Sequence, residues 1–443
     1  MAWDSDDETD IKNRKATVSS FSIKESGIEE APPDKYRLVY MIVALNGICT
    51  LLPWNMFINI APNYYVKYWF SPGGEEDHYG RTFMKLLGIA AQTPNFFMAV
   101  INAANIIRGP VLWKIRGTLI TSCFLVGVVL CLVIFTTPTK SGETWFFIVS
   151  LIIVVCIQLS TGLYQNTLYG LTADFPDQYT NAVVVGDNFC GIFISCMELM
   201  TTVAFPNQPK TVAILYFSIC LGILLLNLLI MFYVKRIKTF AFYMDLGHQA
   251  RLNGHGQRPT LSQYLQTFKL CWPQFLSVFL VFFVTLSVFP TVLVDIHPLK
   301  TFTGRMGEIY YGLTVFLNFN FFAAVGNLAA VFIQFPSPKF LLIPVSLRLF
   351  FIPYFMLCNF DTTSRKMGVV FKSAWWFIFG NTFMAFTSGY FSSLSMMYAP
   401  ASAPPHLHKT AGQISALCLV GGVMSGVAFA PLVSTMVEHI DIH

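Results

Sequence analysis

Inside stretches that are otherwise oily, the chain carries carboxamides, hydroxyls, an indole and a few carboxylates at helical spacing. In "LLPWNMFI" (51–58), Leu51, Trp54 and Ile58 are spaced i, i+3, i+7 and share one helical face. Trp54 offers a flat stacking surface and one donor, and Asn55 beside it offers donors and an acceptor. Pro53 interrupts the helical ladder and frees a carbonyl. Gln92 and Asn95 flank Thr93 and Pro94, and Gln165 stands in "YQNT". Phe316, Asn320, Ala323 and Asn327 recur at i, i+4, i+7, i+11 and form a single stripe, while Asn318 points elsewhere. Such groups suit an uncharged, flat, hydrogen-bonding solute. They do not suit phosphate, which calls for Arg or Lys. The plainer reading of each amide is glue between packed helices.

Charged groups within the apolar runs are few. Asp187 follows Gly186 and precedes Gly191, and is expected near the cytoplasmic end of its span, where solvation is cheap. Glu198, in "SCMELMTT", lies deeper. An intramembrane acid is a functional candidate by default, so both are candidates for a proton or cation site; the alternative for Glu198 is a carboxylate snorkelling or protonated in the bundle. Arg348, in "SLRLFFIPY", is expected to reach the cytoplasmic edge by snorkelling, with Asp187 or Glu198 as alternative partners.

Enzyme chemistry is not expected. The chain shows no HExxH, no GxxxxGK[ST] loop and no partner Tyr-Asp for Gly186-Asp187. His406 and His408 sit beside prolines in a connection and read as solvated. The ten cysteines form no CxxC pair and nearly all fall in apolar runs, so neither a metal site nor a disulfide framework is expected. No cofactor is implied.

The elements that must position these residues follow from composition. Of 443 residues, 55% are hydrophobic and only 12% charged, against roughly 25% for a soluble domain. With 43 Phe, this is an all-α integral membrane protein. A bilayer needs about 20 apolar residues per helix. Spans are expected at 36–60, 83–107, 117–137, 145–171, 180–204, 212–234, 272–296, 307–334, 340–359, 371–397 and 410–436, giving about eleven transmembrane helices. Residues 1–35 read as a disordered acidic tail, 36–234 as a six-helix half, 235–271 as a cytoplasmic loop and 272–443 as a five-helix half. Six plus five suggests the major-facilitator class, whose halves rock about a midplane site. The net charge of +5 resides in connections and reports orientation, not nucleic-acid binding. Lys114, Arg116 and the basic 235–269 stretch place the N-terminus in the cytoplasm and the C-terminus outside. The acidic tail has no dileucine, so the expected location is the plasma membrane.

These motifs, in one collinear order from about residue 34 to 433, resemble the equilibrative nucleoside transporter family. The resemblance rests on "TLLPWNMFI", "YQNTLYGLTADFPDQYT", "VVGDNFCGIF", "FFVTLSVFPTVLVDI", "RLFFIPYFMLCN", "FTSGYFSSLSMMYAP" and "KTAGQISA". It implies eleven helices in a major-facilitator-like fold and passive movement of nucleosides, often nucleobases. Carried over singly, it places substrate contacts at Leu51, Trp54, Asn55, Gln165, Phe289 and Asn320. It adds Pro290 after Phe289, and helix-contact glycines at Gly186 and Gly191.

One departure stands out. The family pattern in the eighth span is roughly F-N-x-F-D-W-x-G-R, whereas here Ala323 occupies the acidic position and Asn327 the arginine position. Losing both together is coherent, because losing one strands a buried charge at a cost of about 3–5 kcal/mol. The resemblance then implies an altered nucleoside range, a nucleobase, or the monoamine and organic-cation branch with Glu198 as counter-charge. Proton coupling through Glu198 or Asp187 is a further alternative. The partners expected are a small-molecule substrate and the bilayer.

Overall fold

Backbone polar groups cannot be left open in hydrocarbon, so apolar runs of this length fold as helices that satisfy their own N–H and C=O groups. The computed structural model describes residues 31–71, 78–107, 109–140, 142–253, 259–294, 296, 310, 312–359 and 365–439. The expected disordered tail lies, up to residue 30, outside the described residues. Twelve helices follow in order: α1 Leu38–Ile60, α2 His78–Ala103, α3 Val111–Phe135, α4 Glu143–Thr172, α5 Asp177–Ala204, α6 Pro209–Tyr233, α7 Lys238–Asn253, α8 Leu261–Val288, α9 Asn318–Phe332, α10 Leu342–Met356, α11 Ala374–Ala401 and α12 His408–His439. α1 runs on through a wider π turn, Ala61–Trp69, and a π turn at Gly312–Leu317 leads into α9. Among the described residues, nine helices are long and apolar enough to cross a membrane. α11 falls outside that set because Thr387, Ser388, Ser392, Ser393 and Ser395 dilute its hydropathy. α10 is shorter and is broken by a tight turn at Arg348–Phe350, between Pro344 and Pro353.

Two packed groups result. In the first, α1 lies along α5, α2 along α4, and α3 against α4 and α6. In the second, α8 lies along α12 and α11, and α9 along α11. The groups meet on two seams, α12 against α2 and α4, and α5 against α9 and α11. Close approach rests on glycine. A Cβ on Gly186 would overlap the Ala44 carbonyl, and one on Gly47 the Val183 carbonyl, so α1 and α5 touch backbone to backbone. Gly326 and Gly389 do the same for α9 and α11, against the carbonyls of Phe386 and Ala323. A buried triad completes the first group: Tyr164 donates to Asn46 Oδ1 (2.7 Å), and Asn227 donates to both.

The stretch expected as a loop after α6 contains helix. α7 donates from Thr239 to the Pro33 carbonyl and packs Phe240 and Tyr243 on Phe175, then reaches the turn Pro405–Leu407 before α12. α8 starts at Leu261, well before residue 272, because Thr260 and Gln263 form a reciprocal capping box that begins the helix outside the apolar run.

Arg348 is not at an edge. Its guanidinium is buried midway along α10 and donates to the carbonyls of Val281 and Met384 (3.2 and 3.3 Å) and to Thr285 Oγ1 (2.9 Å). Neither Asp187 nor Glu198 bonds it. The break in α10 aims the side chain at α8 and α11, where uncharged acceptors converge. Arg348 thus ties three helices of the second group.

The glycine contacts set a stability test. Gly186→Ala must push α1 from α5, an overpacking that costs about 1–3 kcal/mol. Its melting temperature in detergent, followed by fluorescence-detected gel filtration, should fall. Gly222→Ala, with open space around the new Cβ, should leave it unchanged or slightly raised. Equal melting temperatures for the two variants would contradict the close α1–α5 contact.

Candidate functional site

α1 divides along its length. Leu52, Pro53 and Met56 are buried in the first group, whereas Leu51, Trp54, Asn55 and Ile58 are half-buried. Asn55 Nδ2 reaches Cys190 Sγ on α5 (3.6 Å). One residue on, Gly191 leaves room for Asn320 of α9, whose carboxamide would collide with a Cβ there. Asn320 Nδ2 donates to Ser195 Oγ (3.3 Å) and to the Phe316 carbonyl (3.0 Å). Phe289, just past the end of α8, stacks on Phe319 (ring centroids 4.1 Å) and meets Phe316 edge-on (5.7 Å). Asn55, Asn320, Phe316 and Phe289 are therefore linked through residues 190–191, and both helix groups contribute.

α5 has a lipid face marked by exposed Phe189, Met200 and Val203. Asp187 and Glu198 each stand two residues from a member of that face, about 200° round the helix, and so point inward. Eleven residues apart, they share one stripe. Asp187 is not near an end of α5: it lies close to the middle of a 28-residue helix. Its Oδ2 accepts from Tyr169 (3.1 Å), and its Oδ1 lies 2.9 Å from Thr50 Oγ1. That hydroxyl also lies 2.7 Å from the Gly47 carbonyl, and its single proton serves one acceptor at a time. Glu198 Oε2 accepts from Asn59 (2.9 Å).

On α4, Gln165 is 3% exposed, and its carboxamide bonds none of the described residues. Tyr169 follows one turn later on the same face, so the face carrying Gln165 is the one that approaches Asp187. On α2, Gln92 is half-buried, while Asn95 is buried with its carbonyl and Oδ1 against Gly162. Asn95 therefore reads as packing between α2 and α4.

The eighth-span stripe splits. Asn320 reaches the linked set, but Ala323 and Asn327 are buried in the α9–α11–α5 seam. Asn327 Nδ2 donates to the Val184 carbonyl (3.2 Å), and its Oδ1 accepts from Ser393 (3.0 Å). The expectation of a substrate contact at Asn327 is therefore replaced by a tie between the two groups, since both polar atoms of the carboxamide are committed. Thr50, Asn59 and Tyr169 were not singled out from sequence. A signal existed for the first two, at i−4 from Trp54 and i+4 from Asn55. Among the described residues, no cluster of three or more His, Cys, Asp or Glu could hold a metal.

Solved structures define the class of fold. The human organic anion transporter MFSD10 superposes with a TM-score of 0.57 at 15% identity, covering 92% of this chain and 95% of that one. The proton:xylose symporter XylE gives 0.65 at 10% identity, covering 91% and 90%. The chain thus has a major-facilitator transporter fold. A model of the nucleoside transporter family matches residues 151–263 and 247–435. The chain belongs to that family and is a transporter, not an enzyme. Equilibrative nucleoside transporter 3 of Rattus norvegicus is 26% identical over 91% of this chain and 90% of its own length. Equilibrative nucleoside transporter 1 of Homo sapiens is 24% identical over 92% and 99%, and equilibrative nucleotide transporter 1 of Arabidopsis thaliana is 25% identical over 95% and 92%.

The assignment of Asn327 is checked by Asn327→Ala, which strands the Val184 carbonyl and Ser393 hydroxyl at a cost of about 1–3 kcal/mol. The variant should melt earlier while its KM for a transported nucleoside stays within about twofold of wild type. A tenfold KM rise with unchanged melting would return Asn327 to the substrate site.

Proposed function

We propose that this protein is a facilitative carrier that moves nucleosides across the plasma membrane by alternating access. Eleven spans make up its six-plus-five bundle, with the N-terminus in the cytoplasm and the C-terminus outside. Support comes from interior groups on both helix groups that suit a neutral heterocycle. Trp54 and Phe289 supply faces for stacking. Asn55, Gln165 and Asn320 supply amide donors and acceptors. The observation carrying the reading is Gln165: a carboxamide drawn almost fully inside, without a partner among the described residues, is matched by a solute that brings its own.

Orientation is supported by basic side chains anchored at one set of helix ends. Arg116 donates twice to the Met231 carbonyl, Lys114 donates to Asn102, and Arg236 lies over the Tyr233 ring at 4.9 Å. At that same end the groups hold each other. Asn166 Nδ2 donates to the Gln413 carbonyl (2.8 Å), Gly412 presses on Tyr169 and Ala173, and Tyr264 donates to the Ala103 carbonyl (2.8 Å). These contacts favour a state closed toward the cytoplasm. Rocking would exchange them for contacts at the opposite end. Nucleotide hydrolysis has no place in the cycle; the solute gradient drives it.

The test is flux of labelled uridine into proteoliposomes holding the purified chain, without ion gradient or nucleotide. Saturable uptake, accelerated by unlabelled uridine inside, is expected. Nucleosides should compete better than free bases or monoamines. Loss of a stacking face worth about 1–3 kcal/mol per base should raise KM by tenfold or more in Trp54→Ala. Absence of saturable flux, or an unaltered KM in that variant, would overturn the proposal.

A further inference from the structure

Asp187 is the acidic side chain at mid-depth of α5, and the stacking and amide contacts above leave it without a task. It stands one helical turn before Gly191, where Asn320 docks, and Thr50, which touches it, stands one turn before Trp54. Tyr169, which also touches it, stands one turn after Gln165. Three faces that carry proposed substrate contacts therefore converge within about one turn of this carboxylate.

Its bonding is incomplete. A carboxylate has about four acceptor sites on two oxygens and no donor when ionised. The described residues fill at most one site on each oxygen, with the Tyr169 hydroxyl on Oδ2 and the shared Thr50 hydroxyl on Oδ1. Asp187 forms no ion pair with them. The side chain is half-buried and lies opposite the lipid face of α5, so its open lone pairs face inward. What remains is one accepting position on each of two oxygens about 2 Å apart, a separation set by carboxylate geometry. Two neighbouring hydroxyl donors fit that pattern, and a flat base edge, which mixes donors and acceptors, fits it less well. Glu198, on the same stripe but about 16 Å farther along α5, is held by Asn59 and is too distant to join.

We propose that Asp187 reads the sugar, accepting hydrogen bonds from two vicinal hydroxyls of the nucleoside while Trp54, Asn55, Gln165 and Asn320 hold the base. Tyr169 and Thr50 act as positioning residues that fix the carboxylate's rotation. The assignment rests on the carrier reading above and names the part of the substrate that the neutral residues leave unread. It places a ribonucleoside ahead of both a free base and a dideoxynucleoside. Hydrogen bonds to a charged acceptor are each worth about ten- to hundredfold in affinity, so the preference for the diol should be large.

The test uses the full chain in proteoliposomes, with uridine, 2′-deoxyuridine, 3′-deoxyuridine and 2′,3′-dideoxyuridine as labelled substrates. In wild type, KM should rise stepwise along the series, by tenfold or more between uridine and the dideoxy compound. Asp187→Asn should raise the uridine KM by tenfold or more, affect dideoxyuridine at least tenfold less, and so flatten the series. Tyr169→Phe should flatten it in part. A wild type that carries uridine and dideoxyuridine with equal KM overturns the sugar assignment while leaving the carrier intact, and it does so even where Asp187→Asn fails to fold. So does an Asp187→Asn variant that loses all four substrates by the same factor, or one that loses a monoamine and keeps uridine. Absence of saturable flux for all four in wild type is a different failure, that of the carrier reading itself.

Discussion

Every polar atom carried into hydrocarbon must find a partner within the chain or be offered one by a solute. Leaving it alone costs several kcal/mol. That constraint sorts the interior of this protein into two populations. Asn46, Tyr164 and Asn227 satisfy one another, Asn327 spans Val184 and Ser393, and Arg348 spends its guanidinium on two carbonyls and a hydroxyl. These groups hold helices together. Gln165 and Asp187 retain unfilled bonding capacity at mid-depth, and Trp54 sits half-buried beside them. Groups of this second kind are stable in place only if the space they face is wet or filled.

The same constraint shapes motion. Within each helix group, glycines bring backbones into contact, so α1 with α5 and α9 with α11 behave as rigid pairs. Between groups the contacts are mostly single hydrogen bonds and small residues against carbonyls, as at Asn166 with Gln413 and Gly412 with Tyr169. Such contacts carry little apolar area, and their loss at one end of the seam can be offset by similar contacts at the other. A major-facilitator bundle works on that balance: stiff halves and an exchangeable seam.

Much of this was legible in the chain. Apolar runs located the helices, because a bilayer demands about 20 such residues per crossing. Trp54, Asn55 and Asn320 were marked by periodicity, and the structure links Asn55 with Asn320 through residues 190–191. α7 was not legible, since its amphipathic pattern rides on an otherwise polar connection and its burial depends on Phe175, far away in sequence. The start of α8 was misplaced because hydropathy locates the part inside the oil, whereas a capping box sets where the helix begins.

Side-chain chemistry, period and apolar length are local properties, so the amino-acid order alone determined the class of fold, the membrane setting and a pool of polar residues available to a solute. Which members of that pool remain open was decided only by packing. Arg348 and Asn327 looked like functional groups and proved to be committed, because acceptors from α8, α11 and α5 converge on them in space. Asp187 looked like an end-of-helix acid and lies at the centre, half satisfied, because Thr50 and Tyr169 reach it from two other helices. Whether a buried polar atom is spent or available depends on which strangers in sequence become its neighbours, and only the tertiary structure brings them together.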